Sequence, residues 1–132
     1  MSASLFSLVA SRNTTLRAVE TLLQNNNNSP HARNEHQDTP LHVFCRNAGP
    51  RLFEFGSMVE LFVCYGADLN AQNRWGNTPL HEAVLAGDQY VVCDLLRNKA
   101  DCTIVNQDGL TPVRLAVDKG MTQLFSIFGE ES

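Results

Sequence analysis

Residues 66–81 read GADLNAQNRWGNTPLH, and both ends of this stretch recur farther along the chain. The tetrapeptide TPLH begins at Thr78, and the similar tetrapeptide TPVR begins at Thr111. The triplet that begins at Gly66 recurs as the triplet that begins at Lys99, and the interval is the same as that between the two tetrapeptides. Because two separate landmarks share one period, the sequence indicates an internal structural repeat.

A third copy of TPLH begins at Thr39, upstream of the other two. The interval from Thr39 to Thr78 is longer than the period by six residues. We place the additional residues within the range 48–56, because that segment is well away from both landmarks. The repeat therefore extends over three copies, one of which carries an insertion.

The motifs TPLH and GADLNA, together with the 33-residue period, closely resemble the ankyrin repeat family. The resemblance covers nearly the whole chain and implies an all-α repeat solenoid. Each unit of that family has a β-hairpin finger, an inner helix, a turn and an outer helix, and the units stack side by side. We predict one domain over residues 1–132, with four units at about 4–33, 34–72, 73–105 and 106–132. The first unit resembles an N-terminal cap, and the last is either a C-terminal cap or a cut through a longer protein.

The local sequence of the third unit favours the same elements. Thr78 can cap a helix through its hydroxyl group, and Pro79 suits the first helical position, where an N–H would be unpaired. Gly87 allows the turn that ends this inner helix. The apolar positions follow the helical period and predict a buried face of Leu80, Ala83, Val84, Val91, Val92, Leu95 and Leu96.

The other units carry apolar side chains that we expect to extend the same core. In the first unit these are Leu8, Val9, Val19, Leu22 and Leu23. In the last unit they are Leu115, Ala116, Leu124, Phe125 and Phe128. The insertion is apolar for a loop, and we predict that three of its side chains fold onto the outer-helix side: Leu52, Phe53 and Phe55.

Two positions depart from the glycine pattern of the repeat. Gly76 and Gly109 stand where the finger turn needs a positive φ, and Gln37 occupies that slot in the second unit. We call the finger that contains Gln37 the first finger and the finger that contains Gly76 the second. We expect the first finger either to adopt the turn with strain or to have a different geometry. Lys99 occupies the slot of Gly66 after an outer helix, and we expect a left-handed backbone there.

Composition and charge narrow the classes of function. Apolar residues make up 43% of the chain and charged residues 18%, which is typical of a folded soluble protein. The formal net charge is −4 and no face concentrates Lys and Arg, so we expect no nucleic-acid partner. No apolar run is long enough to span a bilayer, and the N-terminus has no secretory signal. We expect a monomer in the cytoplasm, with the nucleus as an alternative.

Neither the cysteines nor the histidines form a recognisable chemical site. The four cysteines, at positions 45, 64, 93 and 102, have no C-x-x-C spacing, and we expect buried small hydrophobes rather than zinc ligands. There is no G-x-S-x-G signature and no phosphate-binding glycine loop. His42 and His81 of the TPLH motifs resemble structural bridges between units rather than general bases. We therefore predict no enzymatic activity and no cofactor.

Resemblance to ankyrin repeats implies that a partner protein binds the concave face, which consists of the fingers and the solvent side of the inner helices. Trp75 has two interpretations, a ring that lies over the neighbouring finger or an anchor for a partner, and we favour the anchor because Trp and Arg dominate binding hot spots. The residues mapped onto this face are Glu35, His36, Val43, Arg46, Asn73, Arg74, Trp75, Glu82, Leu85, Gln107, Asp108 and Asp118.

The function predicted from these features is protein–protein interaction by rigid presentation of that face. An autonomous interaction protein is the first hypothesis. The alternative is an N-terminal targeting or autoinhibitory domain of a larger signalling enzyme, such as a kinase or a lipase. In addition, Asn70 resembles the asparagine that the oxygen-sensing asparaginyl hydroxylase modifies in ankyrin repeats, and we regard it as a candidate for hydroxylation.

Overall fold

The computed structural model describes residues 5–11, 15–25, 29–47 and 55–121, with the backbone alone for 55–57. Within these ranges the regular structure is entirely helical, as an all-α repeat solenoid requires. The helices are α1 (Leu5–Ala10), α2 (Leu16–Gln24), α3 (Pro40–Asn47), α4 (Phe55–Cys64), α5 (Pro79–Ala86), α6 (Gln89–Arg97) and α7 (Pro112–Asp118).

The described helices form two parallel rows. Helices α1, α3, α5 and α7 pack successively against one another as the inner row, and α2, α4 and α6 do the same as the outer row. Within units, α1 also packs against α2, and α5 against α6. Each unit therefore packs mainly against its neighbours, which is the arrangement of a solenoid.

The inner helices begin with the predicted caps. The hydroxyl oxygen of Thr78 accepts a hydrogen bond from the backbone N–H of His81 at 3.3 Å. Nδ1 of His81 in turn accepts one from the backbone N–H of Thr78 at 3.0 Å, so the first turn is closed from both sides. Gly87 ends the helix in a left-handed conformation with φ of 72°. The interpretation of Thr78, Pro79 and Gly87 is confirmed.

The core lies between the two rows of helices. All seven side chains predicted for the third unit are buried there. Val9, Val19 and Leu23 of the first unit join the same core, whereas Leu8 and Leu22 are partly buried at its edge. The residues of the insertion at 48–54 and those at 122–132 lie outside the described residues, as do the side chains of 55–57.

The fingers differ from the β-hairpins that the resemblance implied. In the described ranges each finger is a tight turn closed by two backbone hydrogen bonds, without a strand. One bond runs from the asparagine N–H to the carbonyl of the fifth residue, and it joins Asn34 to Asp38, Asn73 to Asn77 and Asn106 to Leu110. The other runs from the N–H of the fourth residue back to the asparagine carbonyl, and all six bonds measure 2.9–3.0 Å. Backbone hydrogen bonds also join neighbouring fingers, from the Arg74 N–H to the His36 carbonyl at 2.9 Å and from the Gln107 N–H to the Trp75 carbonyl at 3.0 Å.

Both departures from the glycine pattern have the same backbone as the glycines they replace. Gln37 has φ of 61°, close to the 76° of Gly76 and the 75° of Gly109 in the other fingers. Lys99 has φ of 72° in the slot where Gly66 has 86°. Of the two outcomes expected for Gln37, the structure therefore shows the strained common turn. A left-handed non-glycine residue costs about 1–2 kcal/mol.

The prediction that all four cysteines are buried is wrong. Cys45 is buried, but Cys93 and Cys102 are half-buried and Cys64 is exposed, because its position near the end of α4 faces solvent. None of these four cysteines forms a disulfide bond. Among the residues that the structure describes, no cluster of His, Cys, Asp and Glu could hold a metal ion. No helix in those same ranges is both long and apolar enough to cross a membrane.

Candidate protein-binding surface

Two histidines of the TPLH motifs join successive units, as predicted. Nε2 of His42 lies 2.8 Å from the carbonyl oxygen of Asn77, and Nε2 of His81 lies 2.8 Å from that of Leu110. Each ring thus spans from the start of one inner helix to the end of the next finger. Burial lowers the pKa of both histidines below the ordinary value, which favours the neutral ring that makes these contacts.

Three asparagines hold the fingers in shape, and the sequence analysis missed this shared role. Asn34, Asn73 and Asn106 occupy the same position of successive units. The side-chain oxygen of Asn73 accepts two backbone hydrogen bonds at 3.0 Å, from residues two and four places later. The other two asparagines make the same pair of bonds. Each asparagine precedes the threonine of its TPLH or TPVR motif by the same interval, and this regularity is the signal that would have identified them.

A buried ionic network connects the second and third units. Arg46 donates to both oxygens of Asp38, at 3.0 and 2.9 Å, and its Nε donates to Oε1 of Glu82 at 3.1 Å. The Asp38 side chain is fully buried and the Glu82 side chain nearly so, whereas the Arg46 side chain is 37% exposed. One guanidinium group therefore binds two buried carboxylates, so the network has one negative charge in excess.

Asn73 completes this network from the second finger. Its side-chain nitrogen lies 2.9 Å from Oδ1 of Asp38 and 2.9 Å from Oε2 of Glu82. Burial would raise the pKa of Asp38, but hydrogen bonds from Arg46 and Asn73 outweigh it and hold the pKa below the ordinary value. Asp38 is therefore ionised at neutral pH and fixes the position of Arg46 at the surface.

Trp75 lies at the tip of the second finger and is 43% exposed. Its ring stacks on His36 of the first finger, with a centroid distance of 5.4 Å and an interplanar angle of 29°. The guanidinium carbon of Arg74 lies 6.0 Å from the same ring. The structure therefore shows the contact that the first interpretation of Trp75 requires, a ring that lies over the neighbouring finger. Much of the ring is nevertheless accessible, so the anchor role stays a prediction.

The structure brings the twelve mapped residues to the fingers and inner helices, but three of them are not exposed. Val43, Asn73 and Glu82 are buried, so the expectation that they present side chains to solvent is wrong. Asn73 and Glu82 are buried because Arg46 reaches across from the preceding unit and bonds with them into one network. The exposed or half-exposed members are Glu35, His36, Arg46, Arg74, Trp75, Leu85, Gln107, Asp108 and Asp118.

Asn70, the candidate for hydroxylation, lies away from this face in the loop after α4. Its backbone N–H donates to the carboxylate of Asp68 at 2.8 Å. Its side-chain oxygen accepts a hydrogen bond from the backbone N–H of Asp101 in the next unit, also at 2.8 Å. Modification would therefore need local opening of the contact between units, and it stays a prediction.

Comparison with known proteins identifies the family of this solenoid. A family model described as ankyrin repeats in three copies matches residues 6–106 and again residues 53–130. The chain belongs to the ankyrin repeat family. Ankyrin repeats are generally protein-interaction modules, and the face described above lies on such a module.

Several curated proteins are similar to parts of this chain. Human (Homo sapiens) Rabankyrin-5 is 33% identical over 61% of the chain and 7% of its own length. The ADP-ribosylation factor GTPase-activating protein AGD2 of Arabidopsis thaliana is 34% identical over 78% of the chain and 13% of its length. The serine/threonine-protein kinase VIK of the same plant is 38% identical over 61% of the chain and 17% of its length. The chain thus spans less than a fifth of each of these relatives.

Proposed function

We propose that this chain is a protein-interaction module that binds a partner protein through the concave face, defined here as the fingers and the exposed side of α3, α5 and α7. The observation that carries the proposal is the combination of Trp75 and Leu85, two large apolar side chains of one unit that are 43% and 40% exposed. Exposed aromatic and aliphatic side chains within a polar rim are typical of binding anchors.

The rigidity of the face also supports the proposal. Asn34, Asn73 and Asn106 fix the finger turns, and the Arg46 network fixes the second unit against the third. A preorganised surface loses little conformational entropy on binding, so more of the contact energy contributes to affinity. On this proposal Val43, Asn73 and Glu82 position the exposed residues and do not contact the partner. The module itself carries out no chemical step and needs no cofactor, and its setting is the cytoplasm or the nucleus.

The test uses peptides selected for binding to the full chain from a displayed library of natural protein segments. For a selected peptide we expect Trp75→Ala to weaken binding by roughly 2 kcal/mol, the usual threshold of a hot spot. Tyr90→Ala is the matched control, because Tyr90 is 61% exposed on the outer helix α6. Peptides whose affinity falls with Tyr90→Ala but not with Trp75→Ala or Leu85→Ala would assign binding to the other side of the solenoid.

A second candidate is that the chain acts as the targeting or autoinhibitory domain of a larger signalling protein. The short coverage of the relatives favours it, since the matched region is 13% of a GTPase-activating protein and 17% of a protein kinase. An antibody against this chain would then detect, in the source cells, a protein much larger than 14.6 kDa. If the antibody detected a single protein of 14.6 kDa, this result would contradict the second candidate and favour the autonomous module.

A further inference from the structure

The concave face has an excess of negative charge. Its guanidinium groups belong to three residues, Arg46, Arg74 and Arg114. Arg114, at the far end of the face, lies 3.9 Å from Asp118 and partly offsets the excess. The carboxylates of the face outnumber these cations and belong to Glu35, Asp38, Glu82, Asp108 and Asp118. These five carboxylates and three guanidinium groups give the face a net charge of −2, which is half of the −4 of the whole chain.

The cations of the face are already engaged by groups of the chain itself. Arg46 is shared by two buried carboxylates, so the network to which it belongs has a net charge of −1. The guanidinium group of Arg74 lies 6.0 Å from the Trp75 ring centroid. An acidic partner would therefore meet more carboxylates than guanidinium groups, and the charge of Arg46 is already offset by the two carboxylates that it binds.

The exposed carboxylates, in contrast, remain available. The carboxylates of Glu35 and Asp118 are 85% and 48% exposed, and their contacts with His36 and Arg114 are long, at 3.8 and 3.9 Å. Asp108 is also exposed, one finger beyond Trp75. Exposed ion pairs with such distances are weak and screened by salt, so they do not compete strongly with a partner.

We propose that the concave face binds a basic segment of a partner protein, with an apolar side chain against Trp75 and Leu85 and Lys or Arg side chains facing Asp108 and Asp118. This inference rests on the proposed function and specifies the partner. Neighbouring helices pack about 10 Å apart, so α5, which carries Leu85, and α7, which carries Asp118, are about 10 Å apart, and the whole face from α3 to α7 is about 20 Å wide. An extended segment of about six residues spans that distance.

The first test is selection of random displayed peptides, about ten residues long to span the face, on the full chain. Enriched sequences are expected to place Lys or Arg beside a large apolar residue. A synthetic copy of one such peptide is expected to bind more than about tenfold more weakly when ionic strength rises from about 0.05 M to about 0.5 M, because screening weakens the attraction between exposed charges. Enrichment of acidic or uncharged peptides would overturn the inference.

The second test compares two charge reversals of equal size on the same synthetic peptide. Asp108→Lys with Asp118→Lys changes the face, whereas Glu20→Lys with Glu60→Lys changes exposed positions of the outer helices α2 and α4. Both pairs alter the net charge of the chain equally. We expect about a tenfold loss of affinity for the first pair and less than about a twofold loss for the second. Equal losses would mean that attraction is general rather than local.

These experiments separate the inference from the proposed function. If selected peptides lose binding with Trp75→Ala or Leu85→Ala but carry no basic residues, the face is a binding site and the basic partner is wrong. If peptide binding is indifferent to both substitutions, the proposed function and the inference fall together. Equal denaturation midpoints of the variants and the wild type would show that each change in peptide affinity is an effect on binding and not on folding.

Discussion

The first finger, residues 34–38, and the second finger, residues 73–77, form the same turn from different residues. The turn residue is Gln37 with φ of 61° in one and Gly76 with φ of 76° in the other. In both fingers an asparagine side chain binds the backbone N–H groups two and four places later. The comparison indicates that the asparagine hydrogen bonds hold the turn in both fingers, and that the turn itself does not require glycine.

The inner helices of the same two units show a second difference. Arg46 at the end of α3 and Leu85 at the end of α5 occupy equivalent positions relative to their TPLH motifs. Arg46 is held in an ionic network with Asp38 and Glu82, whereas Leu85 is 40% exposed. The first side chain therefore contributes to the stability of the stack, and the second is available for a partner.

The largest effect is expected for Arg46→Ala. This change removes the one cation between two buried carboxylates, and breaking such a pair from one side costs about 3 kcal/mol. The equivalent change in the next unit, Leu85→Ala, should cost less than about 1 kcal/mol because the side chain is already substantially exposed. Urea denaturation of both variants measures the difference. Similar small losses in the two would show that the network contributes no net stability.

The next largest effect is expected for Gly76→Ala, which compares the stability constraints on the two fingers directly. A β-carbon on Gly76 would lie 2.8 Å from the backbone nitrogen of Gln107, and φ is positive as well, so we expect a loss of about 2 kcal/mol or more. Gln37→Ala should change stability by less than about 0.5 kcal/mol, because a β-carbon is already present and the side chain is exposed. If both variants have the same denaturation midpoint, the fingers are not under different constraints.

These comparisons indicate how far the sequence determines the fold and the site. The repeat period and local caps such as Thr78 depend on neighbours along the chain, so they could be predicted. The burial of Asn73 and Glu82 depends on Arg46, a side chain from another unit. No local sequence pattern predicts a contact between residues so far apart in the chain. The conformation of Gln37 could not be predicted for a related reason, because the hydrogen bonds that the Asn34 side-chain oxygen accepts from His36 and Asp38, rather than the preference of Gln37, decide it.

Acid should weaken the two unit junctions that histidines bridge. Burial lowers the pKa of His42 and of His81, so the folded state favours the neutral rings. Their contribution is complete above the ordinary histidine pKa of about 6.5 and is lost as the pH falls through that value towards the lower folded pKa. Arg114 replaces this histidine in the last unit and does not titrate in that range.

Denaturation midpoints at two pH values, about one unit above and one below the ordinary histidine pKa, test this expectation. The midpoint should fall at the lower pH in the wild type. It should fall less in the double variant His42→Gln, His81→Gln, in which neither junction titrates. An equal fall in both proteins would assign the acid sensitivity to other groups.

The smallest effects are expected where glycine is restored to the two left-handed positions. Lys99→Gly and Gln37→Gly should each stabilise the domain by roughly 1 kcal/mol, because glycine adopts positive φ without the steric cost of a β-carbon. Lys99→Gly is the better test of the two, because the equivalent position one unit earlier is a glycine, Gly66, with φ of 86°. The greater freedom of glycine in the unfolded chain works against the gain, so the net effect is below the full steric cost. A raised urea midpoint with unchanged slope is the expected result for each variant, and a lowered midpoint for Lys99→Gly would mean that the lysine side chain contributes more than its backbone strain removes.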